Sequence, residues 1–194
     1  MKNPLILLYI ISLTFILAFP VEALDYDYQF KIALIGGSGR SSLVDRFVKK
    51  KFNEYSPTTV AYDLATKIII IGDIRYKLGI WYSSSDKKFK KFQLDTLADA
   101  HAVLIITDLT EPQSTEELLE WVKQARTRAR ENCPILLVGT KSDLVDDRIL
   151  SEESIELFCW ENNLPYFETS ARKGLNVTHV FSVAAETIRN QISK

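Results

Sequence analysis

Residues 30–47, FKIALIGGSGRSSLVDRF, pass from an apolar run through a glycine-rich turn into a segment with helical spacing. The apolar run predicts a strand over 30–35. Gly36-Gly37-Ser38-Gly39 predicts a tight turn. Leu43, Val44 and Phe47 share one face of a helix beginning at Ser41. This unit constrains the fold because a strand that feeds a helix across such a turn aims backbone N–H groups and the helix N-terminus at one point. A negatively charged group is stabilised there.

The remaining chain repeats this grammar. Residues 62–71 and 74–81 predict two strands joined at Gly72-Asp73, a hairpin. Residues 82–91 are Ser-rich, then Lys-rich, and read as a loop or an exposed helix; Lys87, Lys88, Lys90 and Lys91 form a solvated basic run. From Ala102 onward strands and helices alternate: strands over 102–107, 134–139 and 165–168, helices over 115–130, 151–162 and 177–192. Alternation of this kind implies a parallel sheet covered on both faces, with ligands at the carboxyl ends of the strands. The loops after the first, third, fifth and sixth strands therefore meet at one rim.

The first 23 residues differ from everything after them. Lys2 precedes an apolar run, Pro20 ends it, and Val21-Glu22-Ala23 supplies a cleavage-like site. This is the layout of a secretory signal peptide, with an uncleaved signal-anchor as the alternative. The folded domain is expected over 25–194, on the secretory route or outside the cytoplasm. A formal net charge of -1 gives no field for nucleic acid. Cys133 and Cys159 lie in no metal-ligand pattern and read as half-buried thiols.

Two stretches carry a resemblance. Val138-Gly139-Thr140-Lys141-Ser142-Asp143-Leu144 resembles the guanine-recognition signature of small GTPases, and Glu168-Thr169-Ser170-Ala171-Arg172 resembles their last nucleotide loop. Leu78-Gly79-Ile80-Trp81, with Phe89 beyond it, is similar to the third-strand exit of Rab-type members. The resemblance spans residues 30–192 and points to the Ras superfamily. It implies an α/β, P-loop NTPase-like three-layer fold with a six-stranded, mostly parallel sheet and about five helices.

The same resemblance implies a site for GTP or GDP with Mg2+. Asp143 would accept hydrogen bonds from the two N–H donors of guanine, which adenine does not offer. Lys141 would run along the base, Phe52 would face its other side, and Thr140 would tie neighbouring loops. Ser170, Ala171 and Arg172 form the loop that presents a backbone N–H to the base oxygen. Gly36, Gly37, Ser38, Gly39, Arg40, Ser41 and Ser42 would hold phosphate, and Ser41 and Thr59, with Thr58 as the alternative to Thr59, the metal ion.

The phosphate half departs from the family pattern. The usual spacing is Gly, four residues, Gly, Lys, Ser or Thr; here the turn is two residues short and the basic residue is Arg40. Tyr82 stands in the place of the carboxylate that holds the magnesium shell, and Ser85 in that of a glycine. Asp86 stands where a glutamine orients the attacking water, which makes it the candidate catalytic residue. The expectation is weak guanine-nucleotide binding with little or no hydrolysis; a working GTP hydrolase with a rearranged loop is the alternative. Effector or regulator proteins would meet the loops at 52–59 and 82–91. No prenylation cysteines follow Ile192, so no prenyl anchor is expected, and a monomer is.

Overall fold

The computed structural model describes residues 25–54, 62–84 and 86–192. Among them are strands β1 (Tyr28–Gly36), β2 (Tyr62–Ile71), β3 (Ile74–Ser83), β4 (Ala102–Asp108), β5 (Ile135–Thr140) and β6 (Tyr166–Glu168). The helices are α1 (Arg40–Lys49), α2 (Lys90–Thr96), α3 (Thr115–Arg128), α4 (Glu152–Glu161) and α5 (Val177–Ile192), with a 3-10 turn at Lys87–Phe89. The sheet order is β2-β3-β1-β4-β5-β6, antiparallel only where β2 pairs with β3. The expected six-stranded, mostly parallel sheet with five α-helices is therefore present. The signal-like segment at 1–23, Thr58 and Thr59 lie outside the described residues.

Side-chain alternation along the strands builds a core on each face. Phe30, Ile32 and Leu34 of β1 face α1 and α5, where the Phe47 and Phe181 rings stack with centroids 4.1 Å apart. Ala33 and Ile35 face the other way, against Trp121 and Val122 of α3 and Phe158 of α4. Every residue of β4 is buried, as expected of a strand covered on both faces. Ser114 and Ser151 cap α3 and α4 by accepting from the backbone N–H of Glu117 and Ser154, which fixes where those helices begin.

The expected boundaries shift in three places that matter. β3 runs on through Tyr82 and Ser83, which are buried in strand rather than free in a loop. Residues 87–96 form a helical segment, and its Gln93 and Thr96 are buried. β4 continues to Asp108, one residue past the predicted end, and places a buried carboxylate at the rim.

Candidate functional site

The β1–α1 turn is built for close approach. Gly36 has φ 97, and a Cβ there would lie 2.5 Å from the Ile106 carbonyl oxygen. Gly39 has φ 94, and a Cβ there would meet the Thr140 hydroxyl at 2.8 Å. Both positions exclude side chains, by backbone conformation and by space. The turn is thereby pressed against the ends of β4 and β5. The Thr140 hydroxyl lies 3.1 Å from the Ser38 carbonyl and 3.2 Å from that of Thr107, so it ties these loops as expected.

A cavity of about 340 Å³ opens at this rim. Eight of the residues expected to bind nucleotide border it, contributed by four separate loops: Gly39 and Ser42, Phe52, Thr140, Lys141 and Asp143, Ala171 and Arg172. Asp143 is half-buried, and among the described residues no donor is bonded to its carboxylate. Lys141 adopts φ 62 and places Nζ 2.5 Å from Asp108 Oδ2.

Two backbone links hold the base loops together. Thr169 donates from its N–H to the Gly139 carbonyl at 2.7 Å, and its own carbonyl accepts from Ser142 N–H at 3.1 Å. Ser170 is fully buried behind the cavity, where its hydroxyl accepts from Lys173 N–H at 2.9 Å. Arg46 reaches across from α1 to the carbonyls of Ala171 at 2.5 Å and Arg172 at 2.6 Å. Arg148 clamps Glu168 through two hydrogen bonds of 2.9 and 2.6 Å. Arg172 closes the outer lip through an ion pair with Glu54 at 2.5 Å. A cavity of this size, flanked by an aromatic ring and holding an unpaired carboxylate, fits a planar base that offers two N–H donors.

The phosphate residues are arranged differently. Gly36, Gly37 and Ser38 border a neighbouring cavity of about 510 Å³, together with Gln93 and Asp108. Gly37 N–H donates to the Ile106 carbonyl at 2.6 Å, and Gly36 N–H to Gln93 Oε1 at 2.9 Å. Arg40 borders neither cavity. Its side chain is 2% exposed, with NH1 2.6 Å from Gln93 Oε1 and NH2 buried without an acceptor. Burial lowers its pKa to about 10.

The two described residues that stand in the family's metal-shell and water-orienting positions are engaged elsewhere. The Tyr82 hydroxyl donates to Asp63 at 3.0 Å, and burial raises its pKa well above the usual phenol range. No group of three His, Cys, Asp or Glu residues that could hold a metal occurs among the described residues. Asp86 is exposed, accepts from Lys88 N–H at 3.0 Å and pairs with Lys88 Nζ at 3.0 Å. It caps the 3-10 turn and borders neither cavity.

Two residues beside the phosphate turn, outside the cavity that Asp143 borders, escaped the sequence reading: Asp108 and Gln93. Asp108 accepts from Lys141, from the Ser38 hydroxyl, and from Thr110 N–H at 3.0 Å. Burial opposes its ionisation, but these donors prevail and hold its carboxyl below the ordinary value. Its signal was its position, a carboxylate ending an apolar strand. Gln93 had a fainter one: Phe89, Gln93, Thr96 and Leu97 fall on one helical face.

Comparison with known proteins agrees with this geometry. A model of the Ras family matches residues 31–190. The GTP-binding protein ypt3 of Schizosaccharomyces pombe is 34% identical over 171 residues, 87% of this chain and 80% of that protein. Ras-related protein Rab-4A of Homo sapiens is 35% identical over 169 residues, 86% of this chain and 78% of that protein. The match covers β2 to β6, most of β1 and every loop at the rim, so the chain belongs to the Ras family and carries a Rab-like small GTPase domain, a kind of domain that binds guanine nucleotide.

Proposed function

We propose that this domain binds guanine nucleotide weakly through its TKSD and ETSAR loops, hydrolyses GTP little or not at all, and acts as a regulatory or partner-binding protein. The observation that carries the reading is Arg40. The one cation of the phosphate turn is buried against Gln93 and borders neither cavity. The Asp143 carboxylate, by contrast, remains available at the base cavity.

Hydrolysis of a terminal phosphate depends on positioning and charge stabilisation. Tyr82 spends its hydroxyl on Asp63, and Asp86 spends its carboxylate on Lys88. Neither is disposed to hold a metal shell or to orient an attacking water. Partners would meet the loops at 52–59 and 82–91. The apolar segment at 1–23 sends the domain to the secretory route, or tethers it to a membrane if uncleaved.

Calorimetry on the purified protein tests the reading. GDP and GTP are expected to bind weakly, with little response to magnesium and no phosphate released in a single-turnover assay. Tight, magnesium-dependent GTP binding refutes it.

A further inference from the structure

Gln93 lies on α2 and is 2% exposed. Its side-chain amide makes three hydrogen bonds. Oε1 accepts from Gly36 N–H at 2.9 Å and from Arg40 NH1 at 2.6 Å, while Nε2 donates to the Ser84 carbonyl at 3.1 Å. One amide thus joins the start of the phosphate turn, the cation of that turn, and the exit of β3. An oxygen that accepts from a glycine N–H and a guanidinium together does for those donors what a phosphate oxygen would.

The arrangement is incomplete in one respect. Among the described residues no carboxylate is bonded to Arg40, and its NH2 is buried without an acceptor there. A buried guanidinium gains more from a charged acceptor than from a neutral amide, because charge-assisted hydrogen bonds are roughly twice as strong. The present partner is therefore replaceable by an oxyanion, on condition that α2 gives way.

We propose that Gln93 is an internal ligand of the phosphate turn, a latch that docks α2 on Arg40 and Gly36 and competes with the phosphate groups of any incoming ligand. Nucleotide binding at this site then divides into two events. The base enters a preformed cavity; the phosphates bind Arg40 only when Gln93 withdraws and α2 lifts. This deepens the proposed weak nucleotide binding and rests on it for the identity of the ligand. The latch itself concerns only the oxyanion.

The two ideas are separated by using two probes, guanosine and inorganic pyrophosphate, in calorimetry on the purified protein and its variants. Gln93→Ala removes the competing acceptor and is expected to bind pyrophosphate at least tenfold more tightly than the parent. Gln93→Glu gives Arg40 a carboxylate and is expected to bind pyrophosphate no more tightly than the parent. Hydrogen exchange at 90–96 is expected to quicken in Gln93→Ala. Guanosine affinity is expected to stay the same in all three proteins. Equal pyrophosphate affinity throughout, or binding in none of them, overturns the latch. Failure of the parent to bind guanosine sinks the proposed base site instead, and pyrophosphate still decides the latch. If Gln93→Ala does not fold, Gln93→Met keeps the volume, removes the acceptor and is held to the same expectation.

Discussion

Lys141 Nζ sits 2.5 Å from Asp108 Oδ2, joining the loop after β5 to the end of β4. The Ser38 hydroxyl donates to the same oxygen. Asp108 thus fixes both the base loop and the phosphate turn from beneath. Removing it takes the acceptor from Lys141 and the nearer of two acceptors from Ser38, whose hydroxyl keeps Glu111 Oε1 at 3.3 Å. Asp108→Ala is expected to cost about 1 kcal/mol, the net worth of a typical hydrogen bond, because the Lys141 side chain is 39% exposed and can turn to water. Urea unfolding reads that loss. Guanosine affinity should fall as well, because Lys141 is no longer held along the cavity wall.

Asp143 is expected to behave in the opposite way. Among the described residues no donor is bonded to its carboxylate, so Asp143→Ala strands no partner. Stability should change by less than about 0.5 kcal/mol, as at unconstrained surface positions. Guanosine binding should weaken by roughly ten- to a hundred-fold, the equivalent of about 1.5–3 kcal/mol for hydrogen bonds to a charged acceptor. Paired thermal melts and calorimetry check both halves. A large drop in melting temperature would mean that the carboxylate serves the fold.

Acid should loosen the rim first. Hydrogen bonding to Arg148 holds the Glu168 carboxyl below its ordinary value, and the donors around Asp108 do the same there against the cost of burial. A carboxyl depressed in the folded state contributes stability that is complete above its unfolded pKa, about 4. That contribution is lost as pH falls through the folded value. Unfolding free energy is therefore expected to decline in two stages: gently below about pH 6.5, where burial opposes protonation of His101, and more steeply below about pH 5 as those carboxyls protonate. Arg148→Ala removes the larger part of Glu168's share and leaves the bond from the Tyr166 hydroxyl, so its acid limb should be shallower. Urea titrations at stepped pH measure this.

The fold and the gathering of eight expected residues at one cavity were legible in the sequence for the same reason. Strands of Val, Ile and Leu covered on both faces leave a continuous apolar run. A base loop needs residue types that few other tasks require together, as in Thr140-Lys141-Ser142-Asp143. The phosphate half was only partly legible. Replacement of the basic residue could be read at Arg40, but where its guanidinium went could not. That depends on Gln93, fifty-three residues away in sequence, on a helical segment whose lysines mask its buried face. Asp108 was missed by a single residue of strand length. Chain periodicity finds elements well; it does not tell which polar side chain turns inward at their ends.

Both thiols are expected to be unreactive. Burial pushes Cys133 up to about 12 and Cys159 up to about 11. At pH 8 the reactive thiolate is then a minute fraction of either. Iodoacetamide at that pH should modify the folded protein far more slowly than the urea-unfolded chain, as followed by intact mass. Rapid labelling of the folded protein would show that one of these sites opens readily.

Restoring the family carboxylate at position 82 should fail to restore a metal site. Tyr82 is 4% exposed, packs in the core that holds Leu34 and Leu43, and donates to Asp63. Tyr82→Phe loses only that hydrogen bond and should cost about 1 kcal/mol. Tyr82→Asp removes an aromatic ring from the core, which costs about 3–5 kcal/mol for full truncation. It also sets a second carboxylate beside Asp63, a like-charge contact that opposes ionisation of both. The melting temperature should fall much further for Asp than for Phe. Neither variant should gain magnesium-dependent GDP binding, because Arg40 would still be turned toward Gln93. A Tyr82→Asp protein that keeps its stability and binds GDP more tightly with magnesium would show that the phosphate half is one substitution from working, and that the burial of Arg40 is not what disables it.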